Sequence, residues 1–331
     1  MSSGTYICGM GAYVPSRVLT NEDIASFVAT DNEWIVTRTG IHERRLVSDG
    51  ETNTDMALAA SKNALHDAGL SATAVTHIIY ASCTVESASP SGACILANKL
   101  GIRAVFALDI NAACSGFVYG LSLADSIVRA SPAATLLVVG VDALSTRINW
   151  TDRTTCILFG DAAGAAIVRG RQDTCAALPA VLVGVMASAD TAHCDLIRFT
   201  NGEGGGYTMG DVVGPEFFIQ MQGREVFKHA VRGMVALCGE LLQQHGITVA
   251  DVDLFVPHQA NLRIIEAVGE KLGIPVDRVF VNLDTKGNTS AASIPLALVE
   301  AAAQGRIRKG MFVLVVAFGA GLTSGVALVR Y

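Results

Sequence analysis

"VFALDINAAC", residues 105–114, is echoed by "VFVNLDTKGN", residues 279–288, and the echo decides the fold. Each stretch follows a "KLGI", at 99–102 and again at 271–274. Aligning Phe106 with Phe280 sets Cys114 opposite Asn288, each eight positions further on. Upstream, "HDAGLSATAVTHIIYAS" (66–82) matches "QQHGITVADVDLFVPHQ" (243–259): helix end, glycine, short loop, buried strand. Downstream, "FGDAAGAAIVRG" (159–170) matches "FGAGLTSGVALVRY" (318–331). Four matches in one order mark an internal duplication, with halves at 1–172 and 173–331. The runs "THIIYAS", "VFALDI", "TLLVVGVDA" and "GAAIVRG" read as strands, answered by "LFVPH", "VFVNLD", "FVLVVAFG" and "GVALVRY". Between them, "TDMALAASKNALHDAG" and "GREVFKHAVRGMVALCGELLQQHG" carry helical periodicity. Strands alternating with helices predict an α/β fold with parallel-rich sheets covered by helices.

Composition agrees with deep burial. Of 331 residues, 51% are hydrophobic and 16% charged, which suits strands covered on both faces. A net charge of −6 argues against a nucleic-acid partner and requires a local basic patch for any acidic one. The opening "MSSGTYICGMGAYVPSRV" has no basic segment followed by an apolar one, and "MFVLVVAFGAGL" (311–322) is too short to cross a bilayer. A cytoplasmic protein with no membrane partner is expected. Eight cysteines form no CxxC and have no neighbouring histidine cluster, which speaks against a zinc site and for reduced thiols. "GMGAYV" lacks the third glycine of a dinucleotide fingerprint, and "FGDAAG" follows no P-loop pattern.

Cys114 opens "SGFVYGLSLADSIVRA" (115–130), a stretch with apolar residues at helical spacing. A thiol at a helix entrance meets unpaired N–H groups and the positive end of the dipole, which favour thiolate. Ala112, Ala113, Ser115 and Gly116 leave room beside it. "VPHQANLRI" (256–264) ends a strand in Pro257 and His258, and "DTKGNTSAAS" (284–293) places Asn288 at a turn before a helix. Taken singly, each is an ordinary core or capping residue. The duplication instead brings the three strand ends together, and a thiol, an imidazole and a carboxamide that converge make an acyl-transfer site.

"NAACSGFVYGL", "VPHQANLRI" and "GNTSAAS" resemble the cysteine, histidine and asparagine motifs of the β-ketoacyl-acyl carrier protein synthase III family. "WIVTRTGI" and "FGDAAGAA" extend the likeness, which runs from "GMGAYVPSRVLTNEDI" to the C-terminus. The resemblance implies an internally duplicated, thiolase-like α-β-α-β-α sandwich that forms a homodimer. It implies that Cys114 accepts an acyl group from acyl-CoA, with the backbone N–H groups of Cys114 and Ala320 as oxyanion hole. Malonyl-acyl carrier protein is then decarboxylated, with His258 and Asn288 holding the enolate. Acyl-CoA is a substrate, and neither a cofactor nor a metal is implied. Trp34 and Arg38, at i and i+4 of one helix face, suit an adenine ring. By resemblance, Arg153 and Gly223 join them along the CoA arm. The same likeness implies an acyl pocket of Cys83, Ser89, Leu144, Phe159, Met221, Phe227 and Phe318. A carrier-protein dock would use Arg224, Lys228 and Arg232, one stripe at i, i+4 and i+8, with Arg263 and Lys271.

Three positions depart from the family. Ser89 stands where acetyl-specific members place a phenylalanine that the dimer partner inserts to close the acyl pocket, which predicts acceptance of longer primers. Ala320 replaces a glycine and requires a negative φ. Glu270 takes the place of one of two cations that some relatives carry. The alternatives are a side-branch acyltransferase or condensing enzyme of secondary metabolism on the same fold, and a non-catalytic partner subunit.

Overall fold

Side-chain alternation along the strands decides how the layers stack. The computed structural model describes residues 4–170, 180–200 and 214–331. The expected boundary near residue 172, like Cys175, lies outside them. The first half contains β1 (Thr5–Tyr13), β2 (Arg17–Thr20), α1 (Asn21–Ala25), α2 (Asn32–Thr39), β3 (Glu43–Leu46), α3 (Asn53–Asp67), β4 (His77–Ala81), α4 (Gly92–Lys99), β5 (Phe106–Ile110), α5 (Gly116–Ala130), β6 (Thr135–Ala143) and β7 (Asp161–Arg169). The second contains β8 (Ala180–Ala189), β9 (Ile197–Arg198), β10 (Gln220–Met221), α6 (Gly223–Gln244), β11 (Leu254–Pro257), α7 (Leu262–Leu272), α8 (Ser293–Ala303), β12 (Phe312–Gly319) and β13 (Thr323–Arg330).

Nine strands form a sheet in the order β5-β4-β6-β7-β1-β8-β13-β12-β11. The pattern mirrors itself about the β1–β8 seam. From β1, two antiparallel pairings lead through β7 to β6, and parallel pairings follow to β4 and β5. From β8, two antiparallel pairings lead through β13 to β12, and a parallel one follows to β11. The fifth counterpart differs from expectation. "VFVNLD" is no strand; it keeps one bridge, Phe255 to Val279. The ladder stops because the Asn282 N–H donates to Gln259 Oε1 (2.9 Å) and its side chain to Glu300 (2.8 Å), drawing the chain off the edge.

Odd and even strand residues enter different cores. Ile79, Leu136 and Val138 of the first half, with Leu254, Val256, Val313 and Val315 of the second, pack on Phe117, Val118 and Leu121 of α5 and on Ile294 and Leu298 of α8. Their neighbours Ile78, Tyr80, Leu137 and Val139 face the other way, onto α3 and α4. Phe255, Leu314 and Val316 likewise face α6 and α7. The two halves of the sheet face each other across α5 and α8, so five layers result, helix–half-sheet–helix–half-sheet–helix, with the apolar faces of α5 and α8 in the middle.

One expectation about the thiols fails. Cys8 on β1 is disulfide-bonded, a contact made in space that sequence spacing does not encode. The free cysteines among the described residues are Cys83, Cys94, Cys114, Cys156, Cys194 and Cys238. Among the same residues, no helix is long and apolar enough to cross a membrane.

Candidate active site

The turn that carries Cys114 is held from three sides. Cys114 sits in the single turn Ala113–Ser115 that leads into α5. Ala113 adopts a left-handed φ of 46°, costly for a residue with a Cβ and stable only when its surroundings enforce it. Its N–H donates to Asn111 Oδ1 (3.2 Å), while Ser115 Oγ donates to the Thr323 carbonyl (3.1 Å). Thr323 Oγ1 reaches both the Ala112 carbonyl (2.8 Å) and the Ala320 carbonyl (3.1 Å). One hydroxyl thus ties the 112–114 turn to the 319–322 turn. Gly319 lies so close that a Cβ there would stand 2.7 Å from the Cys114 nitrogen. The left-handed backbone of that second turn falls on Gly321 (φ 118°), and Ala320 keeps a negative φ, the condition its side chain requires.

His258 follows β11, where its N–H donates to the Val316 carbonyl (2.7 Å). Its ring Nδ1 lies 2.6 Å from Ser293 Oγ, at the start of α8. Burial pushes the imidazole pKa down to about 3, so the ring is neutral at physiological pH. A Ser293 hydroxyl donating to Nδ1 leaves the single ring proton on Nε2. Asn288 is fixed by its backbone, N–H to the Leu158 carbonyl (2.8 Å) and C=O from the Gly160 N–H (3.0 Å). Its Oδ1 accepts from the Ser290 N–H (2.9 Å), which leaves the NH2 group as the end free to donate.

The thiol itself contradicts expectation. Burial pushes Cys114 up to about 12, and nearby Asp142 adds to the rise, while the Ser290 hydroxyl works against it. The helix entrance does not overcome desolvation, so Cys114 rests as a thiol. Sequence reading also missed Asp142 and Ser293. Asp142 is fully buried. Its Oδ1 accepts from Ser82 Oγ (3.0 Å), the Cys83 N–H (2.8 Å) and Thr84 Oγ1 (2.9 Å), and Oδ2 from the Ala291 N–H (3.3 Å). One carboxylate therefore fixes the 82–84 loop and the 290–292 turn against β6. Its only signal in the sequence was an acid inside the apolar run "TLLVVGVDA".

A cavity of about 860 Å³ brings the predicted residues together. Cys114, His258, Asn288 and Ala320 all line it. So do Cys83, Leu144, Phe159, Met221, Phe227 and Phe318, and unpredicted apolar residues such as Ile157, Leu158 and Ile219. Trp34, Arg38, Gly223, Arg224, Lys228 and Arg263 line it as well. Arg153 does not, but its guanidinium lies 4.5 Å from the Trp34 ring centroid, with that of Arg38 at 4.2 Å. Two cations on one indole form a flat-faced basic cluster.

Three of the residues singled out from the sequence lie outside the cavity, and a fourth is paired. Ser89 is exposed and lines no part of the cavity. Arg232, two turns along α6, is outside it and contacts His229 Nδ1 (3.2 Å). Lys271 also lies outside, because α7 carries it eight residues, about 12 Å, beyond Arg263. Lys228 lines the cavity but pairs with Glu225 (2.8 Å), so its charge is partly spent.

A mirrored five-layer sandwich with a thiol, an imidazole and a carboxamide around one cavity defines an enzyme of the thiolase-like class. Two family models match the chain: "3-Oxoacyl-[acyl-carrier-protein (ACP)] synthase III" over residues 108–183 and its C-terminal domain over 242–331. A β-ketoacyl-[acyl-carrier-protein] synthase III of Nitratidesulfovibrio vulgaris is 54% identical over 331 residues, covering 100% of both chains. The crystal structure of 3-oxoacyl-[acyl-carrier-protein] synthase III from Aquifex aeolicus superposes with a TM-score of 0.91 at 44% identity, covering 99% of this chain and 100% of that one. That from Pseudomonas aeruginosa gives 0.89 at 36% identity, covering 99% and 98%. The chain belongs to the β-ketoacyl-[acyl-carrier-protein] synthase III family, the condensing acyltransferases of fatty acid biosynthesis.

Proposed function

We propose that Cys114 is the acyl carrier of this enzyme and that His258 and Asn288 run its condensation half-reaction. The observation that carries the reading is the convergence of these three side chains on one cavity, apolar in depth and basic around Trp34 and Arg224. In the first half-reaction Cys114 sulfur attacks the thioester carbonyl of an acyl-CoA. The carbonyl oxygen gathers charge between the N–H groups of Cys114 and Ala320, the bond to CoA sulfur breaks, and the thiol proton leaves on CoA. In the second, malonyl-acyl carrier protein loses CO2, and the electron pair of the broken C–C bond passes into an enolate. His258 Nε2–H and the Asn288 NH2 group donate to its oxygen, work that a neutral imidazole performs. The enolate carbon then attacks acyl-Cys114, the C–S bond breaks with its electron pair passing to the Cys114 sulfur, which takes a proton from water, and the β-ketoacyl thioester leaves on the carrier protein.

Trp34, Arg38, Arg153 and Gly223 are assigned to the CoA arm. Arg224, Lys228 and Arg263 are assigned to the acidic carrier protein, with Arg232 and Lys271 further out. Acyl-CoA is a substrate, and no resident cofactor takes part. The working form is a cytoplasmic homodimer. Its support is β5, an outer strand of the sheet that exposes Phe106 (54%) and Leu108 (38%), apolar surface that a second copy would cover. In such a dimer Ser89 would act on the partner's cavity.

The test separates the half-reactions. H258A and N288A are expected to take up the acyl group from acyl-CoA at near wild-type rate. Their CO2 release from malonyl-acyl carrier protein should fall by about 10²- to 10³-fold, the size of a lost oxyanion donor. Release at the wild-type rate in either variant would overturn the assignment.

A further inference from the structure

Outside the cavity, the fold assembles a second set of donors. Asp190 follows β8, His193 lies in the turn Thr191–Leu196, and His229 is on α6. One ligand atom from each falls within 4.8 Å of the other two. The two imidazole rings lie 4.1 Å apart between centroids, tilted by 50°. His193 holds non-helical φ/ψ of −125° and 28° inside its turn, the kink that brings its ring to α6. Neither ring nitrogen of His193 has a hydrogen-bond partner among the described residues. Asp190 Oδ1 accepts from the Ala192 N–H (3.2 Å), leaving Oδ2 for another partner. The cysteine spacing excluded a thiolate site; it did not address two histidines that meet only in space.

We propose that Asp190, His193 and His229 bind one zinc ion. Two imidazoles and a carboxylate are a borderline donor set that zinc takes in tetrahedral geometry, and the nitrogens exclude magnesium and calcium, which prefer oxygen. Closing on an ion with bonds of about 2.0–2.2 Å draws the three donor atoms inward from their 4.8 Å limit, within reach of side-chain rotation on a surface turn. The Arg232 guanidinium, 3.2 Å from His229 Nδ1, gives way or leaves Nε2 as the ligand. The fourth position falls to water. The site is a clamp: Asp190 exchanges both backbone hydrogen bonds with Leu322 (3.0 and 3.2 Å), in the same turn as Ala320. An ion here fastens α6, the 191–196 turn and the 319–322 turn to one another. This inference does not depend on the reaction assigned to Cys114.

Zinc chloride added to the full-length, metal-stripped protein tests it. After gel filtration, elemental analysis is expected to find one zinc per chain. The Tm should rise by a few degrees over the EDTA-treated form, since an ion that binds the folded chain stabilises it. H193A and H229A should each weaken binding by about tenfold or more, the scale seen even for outer-shell partners. Both histidines lie near the surface, and an unchanged Tm in EDTA shows that the variants fold. Zinc content well below one per chain in the wild type, or undiminished in the H193A/H229A double variant, would overturn the proposal.

Discussion

At Cys114 two influences oppose each other, and burial wins. The helix entrance favours thiolate, yet desolvation and Asp142 hold the free thiol near 12. The thiolate fraction therefore climbs about tenfold per pH unit through the whole accessible range. Iodoacetamide alkylation of Cys114 in the free enzyme is expected to rise with pH to beyond 10 without a plateau; a plateau near pH 7 would show a preformed thiolate. His258 is tuned in the opposite sense, neutral by burial, with its Nδ1 held against the Ser293 hydroxyl. Removing that hydroxyl in S293A should lower the condensation rate by about 10- to 100-fold, as losing an orienting partner does elsewhere, and leave acylation intact. Equal losses in both half-reactions would mean that Ser293 only supports the fold. Cys114, His258 and Asn288, which converge on the cavity, were legible in the sequence because each sits in a quotable motif. Asp142, Ser290 and Ser293 were not, since their partners come from distant segments and their own neighbours are ordinary.

At the scale of elements, the close approach of β12 to the turn before α5 sets the spacing of the two proposed oxyanion donors. Gly319 is required by that contact, since a Cβ would press on the Cys114 nitrogen at 2.7 Å. G319V is expected to push the two turns apart and slow acylation by about 10²-fold, with a smaller effect on Tm. Acylation at the wild-type rate would show that the two turns do not form a joint site. Helices α3, α5 and α6 stand where periodicity put them, because long amphipathic or apolar patterns survive any tertiary context. "VFVNLD" did not become a strand despite its composition. Its backbone is diverted by the Gln259 and Asn282 side chains, which no strand pattern encodes. Helix pitch likewise gave Arg232 its position along α6, but its distance from the cavity lining was visible only in the structure.

At the scale of the molecule, the duplication read from four paired segments reappears as the mirrored strand order about β1 and β8. The outer edge of β5, unpaired among the described residues, is the place to test assembly. Introducing charge with F106K/L108K is expected to convert a dimer to a monomer on light scattering while the isolated chain stays folded. A dimer of unchanged size would place the interface elsewhere. If Ser89 of each copy opens the partner's cavity, octanoyl-CoA should load Cys114 at least as fast as acetyl-CoA, and strict preference for acetyl-CoA would reject that role. On the proposed function, the two halves fold so as to deliver one acyl-bearing sulfur to the cavity they share. The most direct measurement of this is peptide-mapped mass spectrometry after mixing the intact enzyme with a single acyl-CoA. One acyl group per chain is expected, confined to the peptide bearing Cys114 and absent from C114A. No adduct, or one that persists in C114A, would contradict it.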